Sequence, residues 1–91
     1  MRATKIKMKS GCGTSNNLLE IDSIYITECD KEMFYSKASI YDAVKKTPGS
    51  IQVDIYPYPN LIPALSSNSE KYVKSSADNT TSDNLLKLPR E

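Results

Sequence analysis

One segment of this 91-residue chain carries helical periodicity, and it is too short to stand alone. Ile40, Tyr41 and Val44 form an i, i+1, i+4 stripe that a single packing face buries. Ser36 or Ser39 suits its start, and Ser39 with Asp42 has the Ser-x-x-acid spacing of a capping box. Lys45 and Lys46 favour the negative end of the helix dipole, and Pro48-Gly49 stops the helix. A helix of about three turns is marginal in water. It must therefore lie on a sheet, and the flanking sequence has the pattern of strands.

Ala3 to Lys9 alternates with period two: Thr4, Ile6 and Met8 point one way, Lys5, Lys7 and Lys9 the other. Ser10 to Asn17 is a loop by composition. In the second strand, Glu20 to Glu28, Ile24 and Ile26 share one face and Ile21 and Tyr25 the other, as in a central strand. Cys29 to Glu32 reads as a turn and Met33 to Tyr35 as a short third strand. After the helix, Ser50 to Tyr56 places Ile51, Val53 and Ile55 inward. In an extended Tyr56 to Leu65, Pro57, Pro59 and Pro63 would all line one edge and block pairing there. The other reading of that stretch is a proline–aromatic recognition surface with Tyr56 and Tyr58 outward. Ser66 to Glu70 is a hairpin-like turn and Lys71 to Ser75 the last strand. Residues 1–91 thus form a single domain of α+β class: a small, mostly antiparallel sheet of four to five strands with one short helix on one face.

A single helix covers only part of such a sheet. Near its end the chain turns from polar to apolar at Leu85, Leu86 and Leu88, which read as a tail folding back to close the core. Asp83 and Asn84 suit the turn that starts this return, and Pro89 ends it. Lys71-Tyr72-Val73-Lys74, Ala77-Asp78, Thr80-Thr81, Asp83-Asn84-Leu85-Leu86 and Leu88-Pro89 together resemble the closing signature of the domain-of-unknown-function family numbered 3892. Where many members of that family carry an aromatic residue before the signature, this chain has Thr80, Thr81 and Ser82. The resemblance implies the fold and a bacterial or phage origin, and no activity.

The chain has no histidine. It therefore lacks the commonest general base and metal ligand, and serine or cysteine triads of the usual kind need one. No catalytic residue, metal site or cofactor is expected, and the protein reads as a non-enzyme. Its formal charge of +1 gives no strong pull towards nucleic acid or an acidic membrane. Apolar runs are too short to span a bilayer or to serve as a secretory leader, so a cytoplasmic protein is expected. If the first two strands form a hairpin, Cys12 lies near its turn and Cys29 near its open end, ~25 Å apart at ~3.3 Å per residue, too far for a disulfide.

The lysine face of the first strand admits two readings. Glu20 and Asp22 come opposite it in a hairpin and would neutralise it by cross-strand pairing. Alternatively, Lys5, Lys7 and Lys9 with the backbone of Gly11 and Gly13 would take a phosphate. No aromatic residue alternates with those lysines, so nucleic acid is not the expected partner. The leading expectation is a small interaction module that binds a protein partner or assembles as a homo-oligomer. The alternative is a protein that sequesters an anionic nucleotide, using those lysines, the Gly11–Gly13 loop, and Tyr56 or Tyr58 to stack on a base.

Overall fold

The computed structural model describes residues 1–76 and 83–91. Residues 77–82, where Ala77, Asp78, Thr80 and Thr81 of the resemblance fall, lie outside the described residues. The fold is α+β, as expected. β1 (Arg2–Met8), β2 (Ile21–Thr27), β3 (Met33–Ser36) and β4 (Gln52–Val53) form one sheet in the order β3-β2-β1-β4. β5 (Leu61–Leu65) and β6 (Lys71–Ser75) form a second, two-stranded sheet. The single helix, α1 (Lys37–Lys46), follows β3 directly.

β1 pairs antiparallel with β2 and parallel with β4, and β2 pairs antiparallel with β3. β3 and β4 therefore run the same way on opposite edges, and α1 between them has to cross one face of the sheet. Ser36 is the helix cap: its Oγ accepts from the Ser39 N–H at 3.2 Å. Asp42 joins no capping box and pairs instead with Lys71 of β6 at 3.0 Å. Ile40, Tyr41 and Val44 are buried, as the stripe requires.

The alternation in β1 and β2 is interrupted once in each strand. The register skips Thr4 between Ala3 and Lys5, and skips Asp22 between the Lys7–Ser23 and Met8–Ile21 pairs. These are β-bulges, each adding one residue to one strand. Their effect is to align three buried pairs, Ala3–Ile26, Ile6–Ile24 and Met8–Ile21, on the core face. The expected pairing of Ile21 with Tyr25 on a second face is thus corrected: the bulge at Asp22 moves Ile21 to the core with Ile24 and Ile26. Thr4 leaves the apolar face for the same reason, and Ala3 takes its place.

The strand after the helix is shorter than its alternation suggests, ending at Val53. The chain reverses at once: Tyr58 N–H donates to Ile55 O at 2.7 Å, Val53 N–H to Pro59 O and Leu61 N–H to Ile51 O. Pro57 and Pro59 belong to this reversal and only Pro63 lies in a strand, so the three prolines do not share one edge. A single bridge, Gln52–Asn60, links the returning chain to β4.

The second layer consists of α1, the β5–β6 hairpin and the tail. Ile51, Leu61, Val73, Leu85 and Leu88 join the sheet and helix residues in one core, and Leu86 packs half-buried at its border. Asp83 caps a 3₁₀ turn over Asn84–Lys87, accepting from Leu85 N–H at 2.9 Å, and also accepts from Ser75 N–H at the end of β6. The tail does not stop at Pro89. Ile6 N–H donates to Pro89 O at 2.9 Å and Glu91 N–H to Ile6 O at 3.0 Å, so the chain runs parallel beside β1 past the end of β4. Among the described residues, no helix is long and apolar enough to cross a membrane.

Leu85 is completely buried whereas Leu86 is half-exposed. Leu85→Ala should therefore destabilise the domain by about 2–5 kcal/mol, and Leu86→Ala by clearly less. Denaturant unfolding of the two variants measures this, and equal losses would contradict the tail as part of the core.

Candidate functional site

The pairs that lie between the buried ones in the β1–β2 ladder, Lys5–Tyr25 and Lys7–Ser23, turn away from the core. Tyr25 is in turn paired with Phe34 of β3. The outer face of the sheet thus collects two lysines from β1 and one aromatic ring from each of β2 and β3. Tyr25 and Phe34 meet edge to face, centroids 5.1 Å apart at 80°. Lys5 Nζ lies 5.1 Å from the centre of the Tyr25 ring and Lys7 Nζ 5.8 Å from that of Phe34. These are cation–π distances. The rings are half-buried, and Lys7 is exposed. Stacking partners were not expected for the lysines because none alternate with them along β1. They come from the neighbouring strands on the same face, Tyr25 directly opposite Lys5 and Phe34 diagonal to Lys7.

The carboxylates expected opposite the lysines do not pair with them. Asp22 is the exposed bulge residue, and Glu20 accepts from the Cys12 thiol at 3.0 Å and from the Ser15 hydroxyl. Lys5 pairs instead with Glu91 at 3.1 Å, an exposed contact of little net energy. Among the described residues no carboxylate reaches ion-pair distance of Lys7.

Lys9 leaves this face altogether. Its Nζ meets Glu70 at 3.3 Å in the β5–β6 turn, where Lys37, nearly buried at the start of α1, binds the same carboxylate at 2.7 Å. The two lysines hold the Glu70 carboxyl below its usual range, the Lys37 hydrogen bond most of all, and Glu70 raises Lys9 in return. This cluster ties the hairpin turn to the helix and to β1. The Gly11–Gly13 loop lies beyond Met8 and is tied into itself and the tail. Cys12 N–H donates to Lys9 O, Ser15 N–H to Cys12 O, and Arg90 Nη1 to Gly13 O at 2.9 Å. Gly11 sits at φ +79°, a conformation glycine takes without strain.

Tyr56 and Tyr58 stand outward, Tyr56 82% exposed. They lie beside Arg2, whose guanidinium is 4.2 Å from the centre of the Tyr58 ring. The seven predicted ligand residues therefore do not form one pocket. Lys5 and Lys7 come together, Tyr56 and Tyr58 stand at the Arg2 end of β1, and at the other end lie Gly11 and the engaged Lys9 and Gly13. Arg2, Tyr25 and Phe34 were missed, because their partnership depends on register between strands.

A cleft of about 570 Å³ lies elsewhere, lined by Asn17, Leu18, Tyr72, Asp83 and Leu86 among others. It contains none of the seven predicted ligand residues, although Asp83 and Leu86 of the tail line it. Its Asn17 and Asp83 side chains already cap the 3₁₀ turns that follow them. We therefore place the candidate site on the outer sheet face.

The Cys12 environment also bears on chemistry. Its hydrogen bond to Glu20, followed by burial, raises the thiol above the ordinary 9.0, while the same bond and that from Ser15 lower Glu20. A thiol held protonated is the reverse of an activated nucleophile. In a Cys29→Ser variant, the remaining thiol should titrate above 9.0, and Glu20→Gln should bring it down. A raised folded-state pKa adds stability that is present below the unfolded value and lost as pH rises through the folded one. Stability should accordingly fall above pH 9 in the parent and less so after Glu20→Gln. Thiol absorbance with parallel melts measures both, and a midpoint at or below 9.0 would refute the assignment.

No family model, curated protein or solved structure matches this chain, so its function is read from the chemistry of the site.

Proposed function

We propose that this protein is a small non-enzymatic binding module and that the outer face of its four-stranded sheet takes a nucleotide-type ligand. The observation that carries the reading is the juxtaposition of Lys5 with Tyr25 and of Lys7 with Phe34, two ammonium groups and two touching rings on one face. A nucleotide combines the two complementary chemistries, a phosphate for the ammonium and a flat base for the ring. Exposed cation–π contacts contribute only about 0.5–1 kcal/mol, so the lysines swing aside at small cost when a base stacks. The absence of histidine and the protonated Cys12 support a binding role over a catalytic one. Cytoplasmic placement belongs to the same proposal, as does the bacterial or phage origin implied by the tail.

Titration with adenosine monophosphate, followed through the amide resonances of Lys5, Lys7, Tyr25 and Phe34, tests the reading. Binding in the millimolar range or tighter is expected, with inorganic phosphate and adenosine each weaker. Lys7→Ala and Phe34→Ala should each weaken it several-fold, and Lys46→Ala, on the helix, should not. Unshifted resonances at millimolar nucleotide would defeat the proposal.

A second reading, self-assembly, is favoured by the β3 edge. β3 is the terminal strand of its sheet, has no strand on its outer side among the described residues, and begins at the exposed Met33. Open edges of this kind pair with other chains. Sedimentation should then show mass rising with concentration, and Met33→Lys should suppress the rise. A constant monomer mass would remove this reading and leave the first untouched.

A further inference from the structure

Resting on the nucleotide reading above, we propose that the face is a track for single-stranded nucleic acid several residues long, rather than a seat for one nucleotide. The cation–ring pairing of Lys5 and Lys7 recurs a third time on the same strand. Arg2 is the next outward position of β1 before Lys5, the bulge at Thr4 taking up the odd residue. Its guanidinium lies 4.2 Å from the centre of the Tyr58 ring, and Tyr58 meets Tyr56 edge to face at 6.1 Å. Arg2, Lys5 and Lys7 thus form one row of cations, with Tyr58 at its Arg2 end, Tyr25 and Phe34 side by side on the Lys5 rung, and Lys7 reaching Phe34 diagonally. The row is roughly 16 Å long at ~3.3 Å per residue, with Tyr56 standing beyond its end.

Linear spacing is what separates a track from a pocket. A mononucleotide needs one cation and one ring, and an open face gives it no walls. A single strand repeats phosphate and base along its length, and every base has a stackable surface. Tyr58 is held at φ +59°, a strained conformation for a bulky residue, and it presents its ring beneath Arg2 in that geometry.

The acidic groups near the row are Glu28 and Asp54 beside Arg2, Glu91 beside Lys5, and the exposed Asp22. Glu28 and Asp54 stand 3.7 and 3.9 Å from the guanidinium, outside hydrogen-bond distance. All are exposed, so phosphates displace them easily. They also lower the positive potential, which makes stacking rather than bulk charge the main source of affinity.

Fluorescence anisotropy of the full chain with labelled dT and rU oligomers of increasing length tests the proposal. Affinity should climb over about the first three to four residues, one per cation–ring pair, and then level off. Tyr56→Ala, a change at a side chain too exposed to affect folding, should weaken an octamer by about five- to 150-fold, the value of one stacked base. Glu91→Gln should strengthen it, and Lys46→Ala should change nothing. If adenosine monophosphate binds but length has no effect, the track is wrong and the nucleotide reading stands. If neither nucleotide nor oligomer binds, both fail. Equal binding of poly-glutamate would also overturn the track, because it would show a response to charge alone. Parallel dT and rU curves confirm a track that ignores the 2′-hydroxyl, and a preference for rU confirms one that reads it.

Discussion

Ile6 is the residue on which the rest of the structure depends. Its side chain is fully buried at the centre of the core face, paired with Ile24. Its backbone N–H and C=O, on the edge away from β2, are closed by Pro89 and Glu91 of the tail. A buried strand with open polar groups on one edge would be costly in so small a domain. β4 is only two residues long and cannot cover the edge, so the tail finishes what β4 begins. The tail therefore contributes apolar side chains through Leu85 and Leu88 and backbone hydrogen bonds through Pro89 and Glu91.

The two bulges decide what each face of the sheet carries. Without them, the period of two would put Ala3 and Ile6 on opposite faces, and likewise Ile21 and Ile24. With one extra residue in each strand, three apolar pairs stack inward and Arg2, Lys5 and Lys7 point outward in line. Packing inside and charge outside follow from the same register. The outer face is then built by pairing alone: Tyr25 is set opposite Lys5 by the β1–β2 ladder, and Phe34 opposite Tyr25 by the β2–β3 ladder.

The ionic contacts fall into two kinds. Lys37, Lys9 and Glu70 bind parts of the fold that are far apart in sequence, and nearly buried Lys37 needs its partner. Lys5 with Glu91 is an exposed contact, and half-buried Arg2 stands 3.7 and 3.9 Å from exposed Glu28 and Asp54, beyond hydrogen-bond distance. The first kind is structural. The second leaves cations that a ligand can recruit, which is why Lys9, equal to Lys5 and Lys7 in the sequence, has a different role.

The sequence by itself determined the class of fold and most of its elements. Alternation in β1, the stripe of Ile40, Tyr41 and Val44, the stop at Pro48-Gly49 and the return at Leu85 and Leu88 are local signals, each set by which side chains must leave water. The helix cap was legible to within one choice, Ser36 over Ser39. The tertiary structure alone decided the bulges, the early end of β4, the tail as a strand beside β1, and the destinations of Lys5, Lys7 and Lys9. Each of these depends on which residue of one strand lies opposite which residue of another. Register is a property of paired chains, fixed by the packing of the whole core, and no single strand encodes it. The candidate site belongs to this second group, because its rings and its cations come from different strands.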